Sequence, residues 1–146
     1  MTSTIYSLKV LLLVVSLVFC TTSSQAFASE NYILVSSKKH GELKHKHLKI
    51  YLSGQKTIWP DGSPVVILLF PKGSKEMKWL CKNIINMPEN LYRRFVMQKA
   101  FRSGLKLLEV KDQQQAIRAL KENHGAIAPI SPRSITSELI PILSTE

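Results

Sequence analysis

The clearest hydrophobic pattern in the chain is a wholly apolar run followed by a stripe with helical spacing. Residues 65–70 are all apolar, which is typical of a strand buried on both faces of a sheet. Pro71 and Gly73 interrupt the run, and Ser74 stands where a helix N-cap is expected. Apolar residues then recur at helical spacing, at Met77, Leu80, Cys81, Ile84 and Ile85. The pattern predicts a buried strand followed by an amphipathic helix.

Similar patterns on either side predict the remaining elements. Strands are predicted at residues 32–35, 105–110 and 126–130, with a further edge strand at residues 139–143. Helices are predicted at residues 43–52, at residues 88–101, and from Asp112 to an end at Gly125. Two prolines and a glycine within residues 59–64 predict a turn. Strands that alternate with helices predict an α/β fold, a three-layer sandwich with a mainly parallel sheet.

The amino-terminal residues predict a signal peptide. Lys9 supplies a positive charge, and residues 10–20 form an apolar run that is too short to span a bilayer. Small residues at positions 26 and 28 match a cleavage site near Ala28. We therefore expect a signal peptide at residues 1–28 and a single domain at residues 29–146. The mature protein is expected to be periplasmic or secreted, without a stable membrane anchor.

The chain is strongly basic. It has 20 Lys and Arg against 10 Asp and Glu, a formal net charge of +10. Hydrophobic residues make up 45% and charged residues 21%, which is ordinary globular usage and excludes a wholly disordered chain. Cys81 is the one cysteine left after cleavage, so it has no disulfide partner within the mature chain. Its place in the apolar stripe predicts that it is buried.

Basic residues gather in two clusters. The first comprises Lys38, Lys39, Lys44, Lys46 and Lys49, and the second comprises Arg93, Arg94, Lys99, Arg102 and Lys106. Solubility alone is one explanation for both clusters. An anionic partner is the other. Export disfavours nucleic acid, so anionic lipid headgroups or an acidic protein are the better candidates.

Aromatic and histidine residues give two further hypotheses. Tyr92, Phe95 and Phe101 with Trp79 form a potential exposed aromatic surface, although helical spacing favours core packing for Phe95. A metal site at His40, His45 and His47 is disfavoured because positions 45 and 47 point to different sides of a helix. We expect no metal and no cofactor. Motifs of serine hydrolases, zinc proteases and P-loop enzymes are absent, so no catalytic activity is expected.

Four motifs follow one another in an informative order. They are Ile50-Tyr51-Leu52-Ser53-Gly54-Gln55-Lys56, Trp59-Pro60-Asp61-Gly62-Ser63-Pro64, Gly73-Ser74 at the start of a helix, and Gly125-Ala126-Ile127. In this order they resemble the phosphate-type solute-binding proteins of bacterial ABC importers, and most of all the short single-lobe exported members. The resemblance runs from about Tyr32 to Ile130. It implies a non-catalytic α/β domain like one lobe of a type II periplasmic binding protein.

The resemblance also implies a binding site at the start of the helix. Backbone amides at a helix N-terminus attract oxyanions, and the site residues would be Lys72, Gly73, Ser74 and Lys75. The family pattern has an arginine where this chain has Phe70, and a hydroxyl residue where it has Glu76. Two functions follow. One is weak binding of phosphate or another oxyanion, and the other is an envelope protein-interaction module, or a self-associating one, that has lost its ligand.

Overall fold

A mixed β-sheet forms the centre of the structure. The computed structural model describes residues 31–40 and 43–142, so the predicted signal peptide lies outside the described residues. The strands among these residues are β1 (Ile33–Ser36), β2 (Val66–Leu69), β3 (Lys106–Glu109), β4 (Ala126–Ile130) and β5 (Ile140–Pro141). They lie side by side in the order β3-β2-β4-β1-β5.

The centre of the sheet is parallel and one side of it is mixed. β2 runs parallel to both β3 and β4, whereas β1 runs antiparallel to β4 and to β5. β1 is therefore the one described strand that points the opposite way. The predicted α/β class is confirmed; of the predicted mainly parallel sheet, β3, β2 and β4 are parallel at the centre, and the sheet as a whole is mixed. Alternation of strands and helices could not reveal this, because β1 pairs with β4 and not with β2, its successor in the chain.

Helices fill the connections between the strands. The α-helices of the described residues are α1 (His45–Leu52), α2 (Lys75–Leu80), α3 (Glu89–Ser103) and α4 (Gln113–Glu122). α2 continues directly into a π-helical turn, Cys81–Ile85. Every residue of the predicted apolar stripe is buried, so the stripe is confirmed across both segments. Asn86 ends the turn in the left-handed conformation, with φ of 55°.

Both predicted helix caps are confirmed. The Ser74 hydroxyl accepts a hydrogen bond from the backbone N–H of Met77 at 3.3 Å. The Asp112 carboxylate accepts one from the N–H of Gln115 at 2.8 Å. These bonds satisfy amides that have no partner inside the first turn of a helix. The caps fix where α2 and α4 begin, and so fix the loops that precede them.

The turn before β2 packs against the start of β4. Trp59 is buried, and its indole N–H donates to the Gly125 carbonyl at 2.9 Å. Its ring stacks on those of His40 and Tyr51, at centroid distances of 4.0 and 4.3 Å. The turn motif and the Gly125 motif are therefore in direct contact. The prediction that Gly125 ends a helix is wrong, because α4 already ends at Glu122.

Candidate functional site

The loop that carries the predicted oxyanion residues connects β2 to α2 at the carboxyl end of the parallel strands. Gly73 is exposed and has a φ of +79°, a conformation that glycine adopts without strain. Lys72 and Lys75 are also exposed, and Ser74 is half-buried. The four residues thus lie together on the surface, as their adjacency in the chain requires.

The backbone amide of Gly73 already donates its hydrogen bond to a carboxylate of the protein itself. The Gly73 N–H donates to both carboxylate oxygens of Glu89, the first residue of α3, at 2.9 and 3.2 Å. The Ser74 N–H donates to the Pro71 carbonyl at 3.1 Å, and the Ser74 hydroxyl serves the cap. A free oxyanion at Gly73 would have to displace Glu89. Binding at residues 72–75 therefore stays a prediction, with an internal anion as its competitor.

A guanidinium from α3 lies beside the end of β2. Arg93 donates through Nη1 to the Phe70 carbonyl at 2.7 Å, and its Nη2 lies 3.5 Å from a carboxylate oxygen of Glu109. The resemblance implies an arginine at the position of Phe70; the guanidinium bonded to the Phe70 carbonyl belongs to Arg93, 23 positions later in the chain. Sequence reasoning assigned Arg93 only to a basic cluster, because nothing in the chain pairs it with Phe70.

Carboxylates and amides surround the other side of the same loop. A groove of about 610 Å³ is lined there by Phe70, Glu76, Lys111, Asp112, Gln113 and Gln114. The Gln113 side chain donates to Glu76 at 2.9 Å and accepts from the Ser131 N–H at 3.1 Å. Glu76 and Asp112 would repel an anion in this groove. The Gln113–Glu76 hydrogen bond therefore links the first turns of α4 and α2, and the groove offers little to an oxyanion.

A second open groove, of about 540 Å³, runs along the outer side of α3. Its lining is Lys72, Asn90, Arg93, Arg94, Met97, Gln98 and Phe101, which together are named the α3 face. The six helical members recur at helical spacing, so they share one side of α3. Lys72 joins them from the loop after β2. The α3 face therefore begins next to the predicted oxyanion loop and extends towards the end of the helix.

Three cations on and beside the α3 face, unlike Arg93, have no acidic partner among the described residues. Within the part of the chain that the structure describes, no carboxylate pairs with Lys72, Arg94 or Arg102. The two nearby acids are already engaged, Glu89 by the Gly73 amide and Glu109 by Arg93. Unpaired guanidinium groups are well suited to bind phosphate or carboxylate oxygens. The α3 face thus combines a positive surface with apolar side chains.

The predicted aromatic surface is only partly correct. Tyr92 is fully buried, and its hydroxyl donates to the Leu52 carbonyl at 3.0 Å. Burial raises the pKa of Tyr92 far above its usual range. Phe95 packs against the core as predicted. Phe101, by contrast, is 95% exposed, so it is the α3 aromatic that a partner can reach.

Cys81 is buried, as its place in the stripe predicted. Burial and, to a smaller extent, the carboxylate of Glu89 raise the pKa of the Cys81 thiol to about 11. A thiol with so high a pKa is almost wholly protonated near neutral pH and is a poor nucleophile. Cys81 therefore fills the core and brings no thiol chemistry to the surface.

A serine, a histidine and an aspartate meet at the opposite end of the sheet. Ser36 Oγ lies 3.0 Å from His40 Nε2, and His40 Nδ1 lies 4.0 Å from a carboxylate oxygen of Asp61. Ser36 is completely buried, so its hydroxyl has no route to a substrate. Desolvation is the main cause that lowers the pKa of His40, so its neutral form predominates near pH 7. The arrangement anchors the segment that follows β1.

The other histidines of the predicted cluster lie elsewhere. His45 and His47 are exposed on α1, whereas the His40 ring packs on Trp59. Among residues 31–40 and 43–142 there is no group of three or more His, Cys, Asp or Glu that could hold a metal ion. These described ranges also contain no helix that is long and apolar enough to cross a membrane.

Comparison of the chain with protein-family models, with curated proteins and with solved structures found no match. The resemblance to solute-binding proteins therefore rests on the four motifs alone, and the α3 face rests on its geometry.

Proposed function

We propose that this protein is a non-catalytic binding module of the cell envelope that engages an anionic macromolecular partner through the α3 face. In this proposal the domain is built like one lobe of a phosphate-type solute-binding protein. It is exported after cleavage near Ala28 and no longer depends on a small ligand. The proposal keeps the cell-envelope location and the loss of the ligand from the second function that the sequence suggested, and takes the basic helix as the contact surface.

The observation that carries the proposal is the positive charge on and directly beside the α3 face. Lys72, Arg94 and Arg102 have no acidic partner among the described residues, and Met97 and Phe101 lie between them. Solubility alone accounts for scattered cations but not for a large exposed aromatic ring among them. Arginine and exposed aromatic residues are the types enriched in binding surfaces.

The environment of Gly73 argues against capture of a free oxyanion as the main function. Glu89 already supplies a carboxylate to the Gly73 amide, so an incoming anion has to replace an anion that the chain holds in place. Glu76 adds a second carboxylate close to the same loop. Both carboxylates therefore weaken the binding of a small anion, because they repel it.

Chromatography on immobilised dextran sulfate tests the proposal, with inorganic phosphate as the small-anion comparison. We expect the chain to be retained and to elute only at raised salt, and calorimetric titration with phosphate to release no heat of binding. The double variant Arg94→Gln, Arg102→Gln should elute at clearly lower salt than the unmodified chain.

Lys46→Gln with Lys49→Gln is the matched control, because it removes the same charge from the exposed side of α1. If both double variants lower the salt concentration of elution equally, retention depends only on the net charge of the protein. The proposal that α3 is the contact surface is then wrong.

Weak binding of phosphate or another oxyanion at residues 72–75 is the second candidate function. The observation in its favour is that the Gly73 amide does bind a carboxylate, that of Glu89. Glu89→Gln should then raise the affinity for phosphate by removing the competing charge. Ser74→Asp keeps an N-cap residue but adds a repelling charge, so it should abolish that gain. No heat from phosphate with Glu89→Gln eliminates this candidate.

A further inference from the structure

We infer that the partner of the α3 face is the surface of a bilayer containing anionic phospholipids, with Phe101 inserted among the acyl chains. The inference rests on the proposed function and names the chemical class of its partner. Binding would be peripheral and reversible, which agrees with the expectation that the mature chain has no stable membrane anchor.

Three apolar side chains of α3 project towards solvent. Phe101 is 95% exposed, Leu91 47% and Met97 42%. They span ten positions, or about 15 Å along a helix axis. Met97 and Phe101 line an open groove rather than an enclosed recess that a protruding side chain of another protein would fill, and Leu91 lies outside that groove. A row of exposed apolar groups on the outer side of a helix is instead what an interfacial helix places into the boundary between headgroups and acyl chains.

Cations lie within and beside this apolar row. Arg94 lies within it, Arg102 follows Phe101, and Lys72 approaches from the loop before α2. Long basic side chains keep their charge at the level of the headgroups while their methylene groups contact apolar surface. Guanidinium groups also match the oxygens of a lipid phosphate. Both acids beside the α3 face keep their negative charge, but Glu109 is paired with Arg93, and only Glu89 is left to offset the three unpaired cations, so the local charge stays positive.

The shape of the contact favours a bilayer over an acidic protein. Acidic side chains would satisfy the cations but would leave Phe101 exposed unless the partner also carried a deep apolar pocket. A bilayer supplies both chemistries at the right depths, negative charge outside and hydrocarbon beneath. A bilayer surface therefore offers a matching environment both to the cations and to the exposed apolar side chains of α3.

Vesicle binding is the test. Sedimentation would compare vesicles of phosphatidylglycerol and phosphatidylcholine in equal parts with vesicles of phosphatidylcholine alone. The full chain and the chain from Ser29 onward are both used, because residues 10–20 could themselves bring the full chain to a bilayer. The shorter chain retains every described strand and helix. We expect it to bind the anionic vesicles and not the neutral ones.

Substitutions separate the two parts of the contact. Arg94→Gln and Arg102→Gln should each weaken binding about fivefold, and Phe101→Ser should weaken it about tenfold. Ile58→Ser is the matched apolar control, since Ile58 is 59% exposed and lies in the segment before β2, outside the α3 face. Lys46→Gln is the matched charge control on α1. Both controls should bind nearly as the unmodified chain does.

Position 101 can also be observed directly. In Phe101→Trp, brominated acyl chains should quench a component of the fluorescence that the unmodified chain lacks. Ile58→Trp should gain no such component. This readout depends on the depth of one side chain, so it applies to the full chain as well.

The possible results of these experiments distinguish the bilayer inference from the proposed function. Equal binding to neutral vesicles, or no loss with Phe101→Ser, overturns the inference. Retention on dextran sulfate without vesicle binding overturns the inference and leaves the proposed function intact. Failure to bind either surface overturns both. If inorganic phosphate competes more strongly than chloride at equal ionic strength, the site binds free phosphate rather than a lipid surface, and the inference is wrong.

Discussion

Gly125 is, among the glycines that the structure describes, the one at which the fold leaves least room for a side chain. A Cβ at this position would lie 1.8 Å from the Pro64 carbonyl oxygen and 3.3 Å from Cδ1 of Trp59. The Gly125 carbonyl accepts from the Trp59 indole at 2.9 Å and from the Val66 N–H at 3.0 Å. The turn before β2 and the start of β4 can approach so closely only because Gly125 lacks a side chain.

Gly125→Ala should therefore lower the free energy of unfolding by about 3 kcal/mol or more, since backbone has to move. Denaturant titration followed by circular dichroism measures the loss. Gly62→Ala is the control: Gly62 has open space around it but a φ of +84°, so the cost should be only about 1 kcal/mol. Equal losses would show that the contact with Pro64 is unimportant.

His40 should make stability depend on pH. Burial is the main cause that lowers its pKa from the ordinary 6.5, with Lys38 lowering it further and Asp61 opposing. The unfolded chain then takes up a proton at higher pH than the folded one. Stability is therefore highest above pH 6.5 and falls as pH drops from there towards the folded pKa.

His40→Gln should flatten this dependence between about pH 8 and about pH 5, as measured by the free energy of unfolding at each pH. Asp61 does not interfere, because hydrogen bonds from Lys38 and Ser63 hold its pKa below 3.8 and its contribution is lost only at lower pH. An unchanged slope in the variant would assign the dependence to other groups.

At the scale of secondary structure, local sequence patterns predicted where helices and strands lie. They did not predict the detailed geometry of every element. Ser74 and Asp112 identified two helix starts correctly, because a capping side chain acts on amides two or three residues away. The π-helical turn Cys81–Ile85 has no such local signal. It keeps the same apolar residues buried, so the hydrophobic spacing looks the same for both kinds of helix.

β3 is an edge strand that can be tested for self-association. It pairs with β2 on one side only, at the end of the sheet order. Lys106 and Leu108 point to the same face, and Leu108 is 38% exposed. A charge on an edge strand discourages pairing with a second chain. Lys106 is the residue expected to have this effect here.

Lys106→Val should therefore make the chain from Ser29 onward associate. The weight-average sedimentation coefficient should rise with protein concentration more steeply than for the unmodified chain. Lys49→Val on α1 loses the same charge away from any sheet edge and should not have this effect. If both variants associate alike, the loss of net charge explains the behaviour and the edge of β3 does not.

At the scale of the whole molecule, the sequence separated groups that the fold brings together. Glu89 reaches Gly73 across 16 positions, and Arg93 reaches Phe70 across 23. Sequence patterns identify both partners only as an acid in a first helical turn and a member of a basic cluster. Because of these contacts, the predicted oxyanion loop carries an internal carboxylate, and the α3 face becomes the stronger candidate.

The amino-acid sequence by itself determined the α/β class, the order of the strands and α-helices, the starts of α2 and α4, the buried stripe that begins in α2 and the basic character of α3. These properties depend on spacing, capping and charge within a few residues of each other. Only the tertiary structure decided the reversed direction of β1, the role of Gly125, the occupant of the Gly73 amide and the exposure of Phe101. Each of these depends on a contact between distant segments, and the spacing of residues along one segment carries no information about what packs against it.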